Sequence, residues 1–550
     1  MNPQSSLVEM GITPEVAQRA LEQTNGDLEA AVNYIFSGEV YSAQPTEAVH
    51  SAPMPGFTPG SLTGVMGQSQ DGDDDTDSSS SEHELSPPFS PRRSPDFPTA
   101  GANSNGVLDS PRKALVTDPT VVTPLPHSLF ENYFALFSLA MCQYLPQILA
   151  KPELGDLSYD PKWAQGVCST TTSLIEQLQR LSGVVNAPLS DRCCVSARII
   201  AAVLDASLRR KLSEAEHLHE VLPSFIRSLI HAIERSGCFG DEQVRSLFVS
   251  SALSSEGKSL LSVLQFMPEE YESSLYAMFN ALLYPELDEG EENGNSLLDV
   301  APFLTIVFDE MDEDTEVTSG RGVDVPLEFY PQLYTKRVKD ALVRPLQQQR
   351  RAAQERSRQV LAEMNSFKSY QGKDILKFIN SALDYLQRDG QSKEAVDQLE
   401  QLKNSISEHK TQRKNEYKEL SQKLHGEWNL SHPTYLIDEA KERDLVDEPY
   451  LLVLAVLHPG HYFQRSRSGQ WKSVRADPNL VRLSDCAPAQ VQTIIRHYTT
   501  FPSKTPLMLL YVKQSHVPED AIVLKSLESN KGISSFLRMD QEELNRDYLT

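Results

Sequence analysis

No Cys-x-x-Cys pair occurs in this chain; its six cysteines are scattered at 142, 168, 193, 194, 238 and 486. A zinc ribbon therefore has no ligands, and thiols so placed suggest no disulfide framework. Long apolar runs of membrane-spanning length are also missing, and the opening MNPQSSLVEM has neither the basic nor the apolar half of a signal peptide. Positive charge is scarce: 51 Lys and Arg against 76 Asp and Glu give a formal net charge of −25. That balance argues against nucleic acid or an anionic membrane as the main partner. There is no phosphate-binding glycine loop, no cluster with metal-ligand spacing, and no Pro-Pro-x-Tyr motif for WW domains. No cofactor and no metal is expected. What is left is a soluble protein of the reducing cytoplasm, with the nucleus also open to it. Its 550 residues give room for more than one domain.

Composition changes sharply along the chain. Residues 1–38 carry helical periodicity. Residues 39–118 have none and are rich in Ser, Pro, Asp and Gly; within them DGDDDTDSSSSEHE holds seven acidic residues and no Lys or Arg. Such a segment cannot bury enough apolar surface to offset the entropy of ordering it, so a disordered linker is expected. Ser86, Ser90, Ser94 and Ser110 each precede a proline and suit a proline-directed kinase; a solvated, unmodified linker is the plainer reading. From Val121 the pattern is globular. Leu129, Tyr133, Leu136, Phe137, Ala140 and Met141 repeat at helical spacing, and further helices are expected up to about residue 286. LLDVAPFLTIVF reads as one buried strand and VPLEFYPQLY as a short extended piece. Long polar helices follow over about 336–430, where Val396, Leu399, Leu402 and Ile406 make a narrow stripe suited to an antiparallel helical arm. Strands return from Tyr450, the second of them ending on Trp471, and a C-terminal tail occupies 515–550.

In the first 38 residues, Thr13-Pro14-Glu15 is a helix start: a capping hydroxyl, a proline whose missing N–H costs nothing, and an acid at the positive end of the dipole. Asn25-Gly26 turns the chain, Asp27 caps a last helix, and Leu28, Ala31, Val32 and Ile35 repeat at helical spacing. Met10-Gly11-Ile12, the run Gly26–Ala31 and the terminal Ile35-Phe36 resemble the ubiquitin-associated (UBA) domain. The resemblance implies that Met10, Gly11 and Ile12, with Leu28, Ile35 and Phe36 of the third helix, bind ubiquitin through an apolar patch. The bland alternative is that Met10 and Ile12 fill a mini-core. So small a patch implies weak binding that a second contact would have to reinforce.

In VLAVLHPGHYFQRSRSGQW a strand leads through a tight Pro459-Gly460 to His461 and Tyr462, the way an imidazole is presented as a general base. The stretch is similar to the C-terminal box of ubiquitin-specific proteases, and PLMLLYVKQ to the strand that closes that domain. APFLTIVFDE and PLEFYPQLY resemble two further boxes of the family in the right order, and Leu136-Phe137 falls where the helix after the catalytic cysteine carries Leu-Phe. The implied architecture is α+β: a three-helix UBA domain (1–38), the linker (39–118), and a papain-like domain. That domain has a helical part with first strands (119–335), a helical-arm insertion (336–430) and a C-terminal β part (431–514).

The same comparison implies that the chemistry is gone. His127 stands at the vacated cysteine position, with Pro124-Leu125-Pro126 where Gly-Asn-Thr is expected, and Arg475 stands where the family has Asn or Asp. Cys142 lies mid-helix on the apolar side, without the helix N-terminus that lowers a thiol's pKa. His461 is then a remnant general base with nothing to activate, and no enzyme is expected. The layout resembles fungal UBA adaptors that couple a HECT ubiquitin ligase to a deubiquitinase. The implied function is a non-catalytic scaffold, binding ubiquitin or ubiquitinated proteins at the N-terminus and a ligase or deubiquitinase through the large domain. The alternatives are an active ubiquitin-specific cysteine protease using Cys142 or Cys168, and a simple shuttle factor.

Overall fold

A computed structural model describes residues 106–108 and most of 119–547, several short loop stretches aside, and before these only Gln18 and Leu21. Those few residues aside, the UBA segment and the linker lie outside the described residues, as do the four Ser-Pro sites; Gly106–Leu108, expected in the disordered linker, form a strand. What is described is a mixed α+β protein built on a nine-stranded sheet. Its strands are β1 (Gly106–Leu108), β2 (Leu264–Phe266), β3 (Phe303–Phe308), β4 (Glu328–Phe329), β5 (Tyr450–His458), β6 (His461–Arg465), β7 (Trp471–Asp477), β8 (Leu480–Cys486) and β9 (Leu507–Lys513). The order is β1-β8-β7-β6-β5-β9-β3-β2, with β4 also on β5; β2 and β3 run parallel and the other pairs antiparallel. The middle strands β3, β5 and β9 are buried over nearly their whole length, which is why they read as continuous apolar runs rather than alternating ones.

Helix α1 (Leu129–Tyr144) is buried without interruption from Asn132 to Tyr144, as befits a helix that is apolar on nearly every side. It packs against α2 (Leu174–Asn186) and α3 (Leu218–Ser236), where Phe134 stacks on Phe225 with ring centroids 4.3 Å apart. α2 starts on a full capping box: Ser173 Oγ accepts from Glu176 N, and the Glu176 carboxylate accepts from Ser173 N.

The chain forms two compact units. The described part of one is 348–428, which comprises most of α4 (Arg344–Ser366) together with α5 (Ile375–Asp389) and α6 (Lys393–His425). α4 and α6 run antiparallel: Arg356 pairs with Glu416, and Glu363 with Arg413. Val360, Ile379, Leu383 and Tyr417 form the buried seam. Of the stripe named from the sequence, Val396, Leu399 and Ile406 are half-buried and Leu402 is exposed.

Several local expectations are corrected. The stretch before residue 286 is not all helical: Ser250–Ser254 and Gly257–Leu261 form a hairpin, with Ser296–Asp299 on its other side, and β2 follows. Gly257 takes a φ of 126° at the turn. LLDVAPFLTIVF is two strands, broken at Val300–Pro302. After the two residues of β4, Pro331–Tyr334 winds into a 3-10 turn. Trp471 opens β7 instead of closing β6, because Ser466–Gln470 turns the chain. The stretch 336–347, expected in the arm, belongs to the larger unit: buried Lys339 donates to Leu283 O at 3.0 Å and Asn295 O at 2.7 Å. The C-terminal tail is the helix pair α8 (Asp520–Ser529) and α9 (Lys531–Asp547), with α7 (Pro488–Tyr498) ahead of β9. Ile533 and Phe536 of α9 are fully buried against the core. Asp540 accepts from Trp163 Nε1 and from Arg192 Nε and Nη2, each at 2.7 Å.

Candidate functional site

One end of the large sheet gathers the residues singled out above. β5 ends at His458 and, through the two-residue turn Pro459-Gly460, returns as β6 beginning at His461. Gly460 N donates to His458 Nδ1 at 3.0 Å, and Ala476 N donates to Gly460 O at 2.9 Å. A Cβ on Gly460 would meet the Ala476 carbonyl oxygen at 2.8 Å, so the hairpin needs glycine there. β9 enters at the same end, since Val456 faces Met508 and Leu507 faces Phe308.

The segment leading into α1 is tied to this end by side chains. Tyr462 Oη accepts from Val122 N at 3.1 Å, and Tyr133 donates to Pro506 O at 2.6 Å. Asn132 Oδ1 accepts from Leu125 N at 2.7 Å, and its amide donates to the carbonyls of Leu125 and Ser128. His127 lies between these ties, exposed, with a φ of 66° that is uncommon for a residue with a Cβ. Of the boxes named from the sequence, those holding Phe308, His461 and Leu507 bring strands to this end, PLEFYPQLY pairs instead with Tyr450 and Leu451 at the far end of β5, and Leu136-Phe137 is buried on α1.

The ionisable groups here do not form an acyl-transfer constellation. His461 faces Arg475 across the β6–β7 ladder. Burial, the Arg475 guanidinium and His458 together hold its imidazole down at about 4, so at neutral pH it is uncharged and weakly basic. No carboxylate is hydrogen-bonded to His461 among the described residues. Cys142 is fully buried; its Sγ lies 3.4 Å from Leu178 O, and burial pushes its pKa far up, the reverse of an activated thiol. Cys168 lies outside the described residues.

Sequence reasoning passed over Cys194. It pairs in parallel with Val121, beside the helix entry, and a hydrogen bond from Cys193, with the Arg192 charge, draws its thiol below the ordinary cysteine range. Basic and adjacent in the sequence DRCCVS, Arg192 was the signal that could have pointed to it. Among the described residues no group of three or more His, Cys, Asp or Glu is arranged to hold a metal ion, and no helix is long and apolar enough to cross a membrane.

Residues 5–35 match the UBA/TS-N domain family, which puts a UBA domain at the N-terminus. Met10, Gly11, Ile12, Leu28 and Ile35 fall within that match, and Phe36 falls one residue beyond it. The whole chain is similar to the UBA domain-containing protein RUP1 of Saccharomyces cerevisiae, with 38% identity over 626 residues, spanning 98% of this chain and 93% of the relative. A structure of the yeast SAGA DUBm with a mutant Sgf73 aligns over 75% of this chain and 69% of that one at a TM-score of 0.30 and 7% identity, too loosely to carry an argument.

Proposed function

The chain belongs to the family of the yeast UBA domain-containing protein RUP1, and from that membership we propose that it is a non-catalytic ubiquitin-binding adaptor. The observation that carries the proposal is the UBA match at residues 5–35, which gives the chain its role in the ubiquitin system. Met10, Gly11 and Ile12, with Leu28, Ile35 and Phe36, make the apolar patch that takes ubiquitin or a ubiquitinated protein. The large domain is a ubiquitin-specific-protease-type domain without the reaction, and it holds a ubiquitin ligase or an active deubiquitinase in the cytoplasm or nucleus. The geometry around His461 supports this half of the reading. An imidazole held near 4 and facing a guanidinium has neither the basicity nor the orienting carboxylate that thiol activation needs. His127 occupies the place at the head of α1 where the nucleophile would stand.

The competing reading is a cysteine protease, and Cys194 gives it its best thiol. One experiment on the full chain separates the two. Ubiquitin is titrated by calorimetry into the native chain and into a Met10→Ala/Ile12→Ala variant, with an electrophilic ubiquitin probe run alongside. Weak binding that disappears in the variant, with no labelling, is the expected outcome. Binding that persists would place a second ubiquitin site in the large domain. Labelling at any cysteine, lost on its change to Ala, would overturn the non-catalytic reading.

A further inference from the structure

Helix α5 buries one side and leaves an aromatic stripe on another. Ile379 and Leu383 belong to the seam of the helical unit, whereas Phe378 and Tyr385 stand 65% and 67% exposed, the most exposed of the large apolar side chains among the described residues. Seven residues make two helical turns, so the two rings lie on one face, about 10 Å apart along the axis. A single exposed aromatic needs no explanation, but two aligned on one face make a stripe that is costly to leave in water. Between them stands Ser381, small enough to let another backbone come close, and its hydroxyl already donates to Lys377 O at 2.9 Å. Covering the stripe would therefore strand no hydroxyl at its middle.

The charges beside the stripe say what fits it. Asp374, the N-cap of the helix, and then Lys377, Asp384 and Arg388 follow one another along one edge, all exposed. Asp374 accepts from Lys377 N at 3.0 Å, and Lys377 and Lys410 are the cations near it. Asp384 and Arg388 make no hydrogen bond or ion pair among the described residues. The signs reverse about Ser381: Asp374 lies seven residues before it and Arg388 seven after, Lys377 four before and Asp384 three after. A pattern that changes sign about its own midpoint is complementary to itself turned end for end. Laid antiparallel on a copy, about a two-fold axis at Ser381, the helix meets its own edge with opposite charges facing. Laid parallel, every charge would meet its like.

We propose that α5 is a self-docking surface, on which a second copy of this chain lays its own α5 antiparallel: Phe378 on the partner's Tyr385, Asp374 beside the partner's Arg388, and Lys377 beside the partner's Asp384. The contact is isologous, so each of these pairs occurs twice. One helix a side lies at the low end of interface sizes, so the pairing is weak and reversible. Two copies so joined carry two UBA domains, which supplies the second contact that weak ubiquitin binding calls for. That consequence rests on the adaptor reading; the pairing itself does not.

The test is sedimentation equilibrium of the full chain over a range of concentrations at low salt. Ubiquitin is left out, so that the pairing and the UBA reading fail separately. A mass rising from one chain toward two is expected. Phe378→Ala/Tyr385→Ala should weaken association at least about tenfold while keeping the parent's melting temperature, since both side chains are exposed. Charge reversal tests the orientation. Lys377→Asp and Asp384→Lys should each weaken self-association several-fold by setting like charges across the two-fold axis, while an equal mixture of the two single variants should associate about as tightly as the parent. A monomer at every concentration would overturn the proposal and leave the stripe to another protein or to a different segment of this chain. Association untouched by Phe378→Ala/Tyr385→Ala would overturn the surface, and a mixture no tighter than its components would overturn the antiparallel register.

Discussion

Asp540 is almost fully buried, and its carboxylate holds three donors from two other segments of the chain: Trp163 Nε1, Arg192 Nε and Arg192 Nη2. Removing one partner of such a pair strands the other charge in the interior, which costs more than the pair itself contributes. Asp540→Ala should therefore lose about 3–5 kcal/mol in a denaturant melt of the full chain. His461 offers a different kind of test at the same scale. Its folded pKa of about 4 lies below the unfolded value of about 6.5, so between the two the unfolded chain takes up a proton that the folded chain refuses. Stability should fall as pH drops from about 6.5 towards 4, by about 1–3 kcal/mol from this group, and level off below. Arg475→Gln should move the imidazole midpoint upward in an NMR titration, because it removes the guanidinium that helps to hold it down. An unmoved midpoint would leave burial and His458 as the causes.

Among elements, the His458–His461 hairpin is tightly constrained. Gly460→Ala would bring a Cβ to 2.8 Å from the Ala476 backbone oxygen, which cannot move aside as a flexible side chain could. A loss of about 1–3 kcal/mol is expected, read from the melting midpoint. This hairpin and the strands beside it were legible in the sequence for a plain reason: β3, β5 and β9 are central, buried on both faces, and carry unbroken apolar runs. The hairpin at Ser250–Leu261 was not legible, because its serines and leucines have little β-branched character and its partner Ser296–Asp299 lies far along the chain. α8 and α9 read as a tail because their polar surface residues dominate the composition, while the residues that matter, Ile533, Phe536 and Asp540, are few and spaced along the inner side. Within the site, His461 and Arg475 could be named from the family resemblance, but their facing each other, and the facing of Arg475 and Arg482, depend on the register of three strands.

For the molecule as a whole, the two compact units should show themselves on heating. Val360 is fully buried within the helical unit, and Val360→Ala should cost about 1–3 kcal/mol there. Scanning calorimetry should show one transition lowered and the other unmoved if the units melt separately. A single transition shifted as a whole would show that they are coupled. The carboxylate at Asp540 has a further consequence, in the time it takes to make the protein. Trp163 waits 377 residues for its acceptor. At a synthesis rate of about 5–20 residues per second, that delay is on the order of 20–75 seconds. Through that interval the N-terminal UBA domain is already free of the ribosome, while the larger unit still lacks the helix that completes its core. A nascent chain is thus able to meet ubiquitin well before it is able to fold, and a message cut short of α9 would release a protein with its tether intact and its body unfinished.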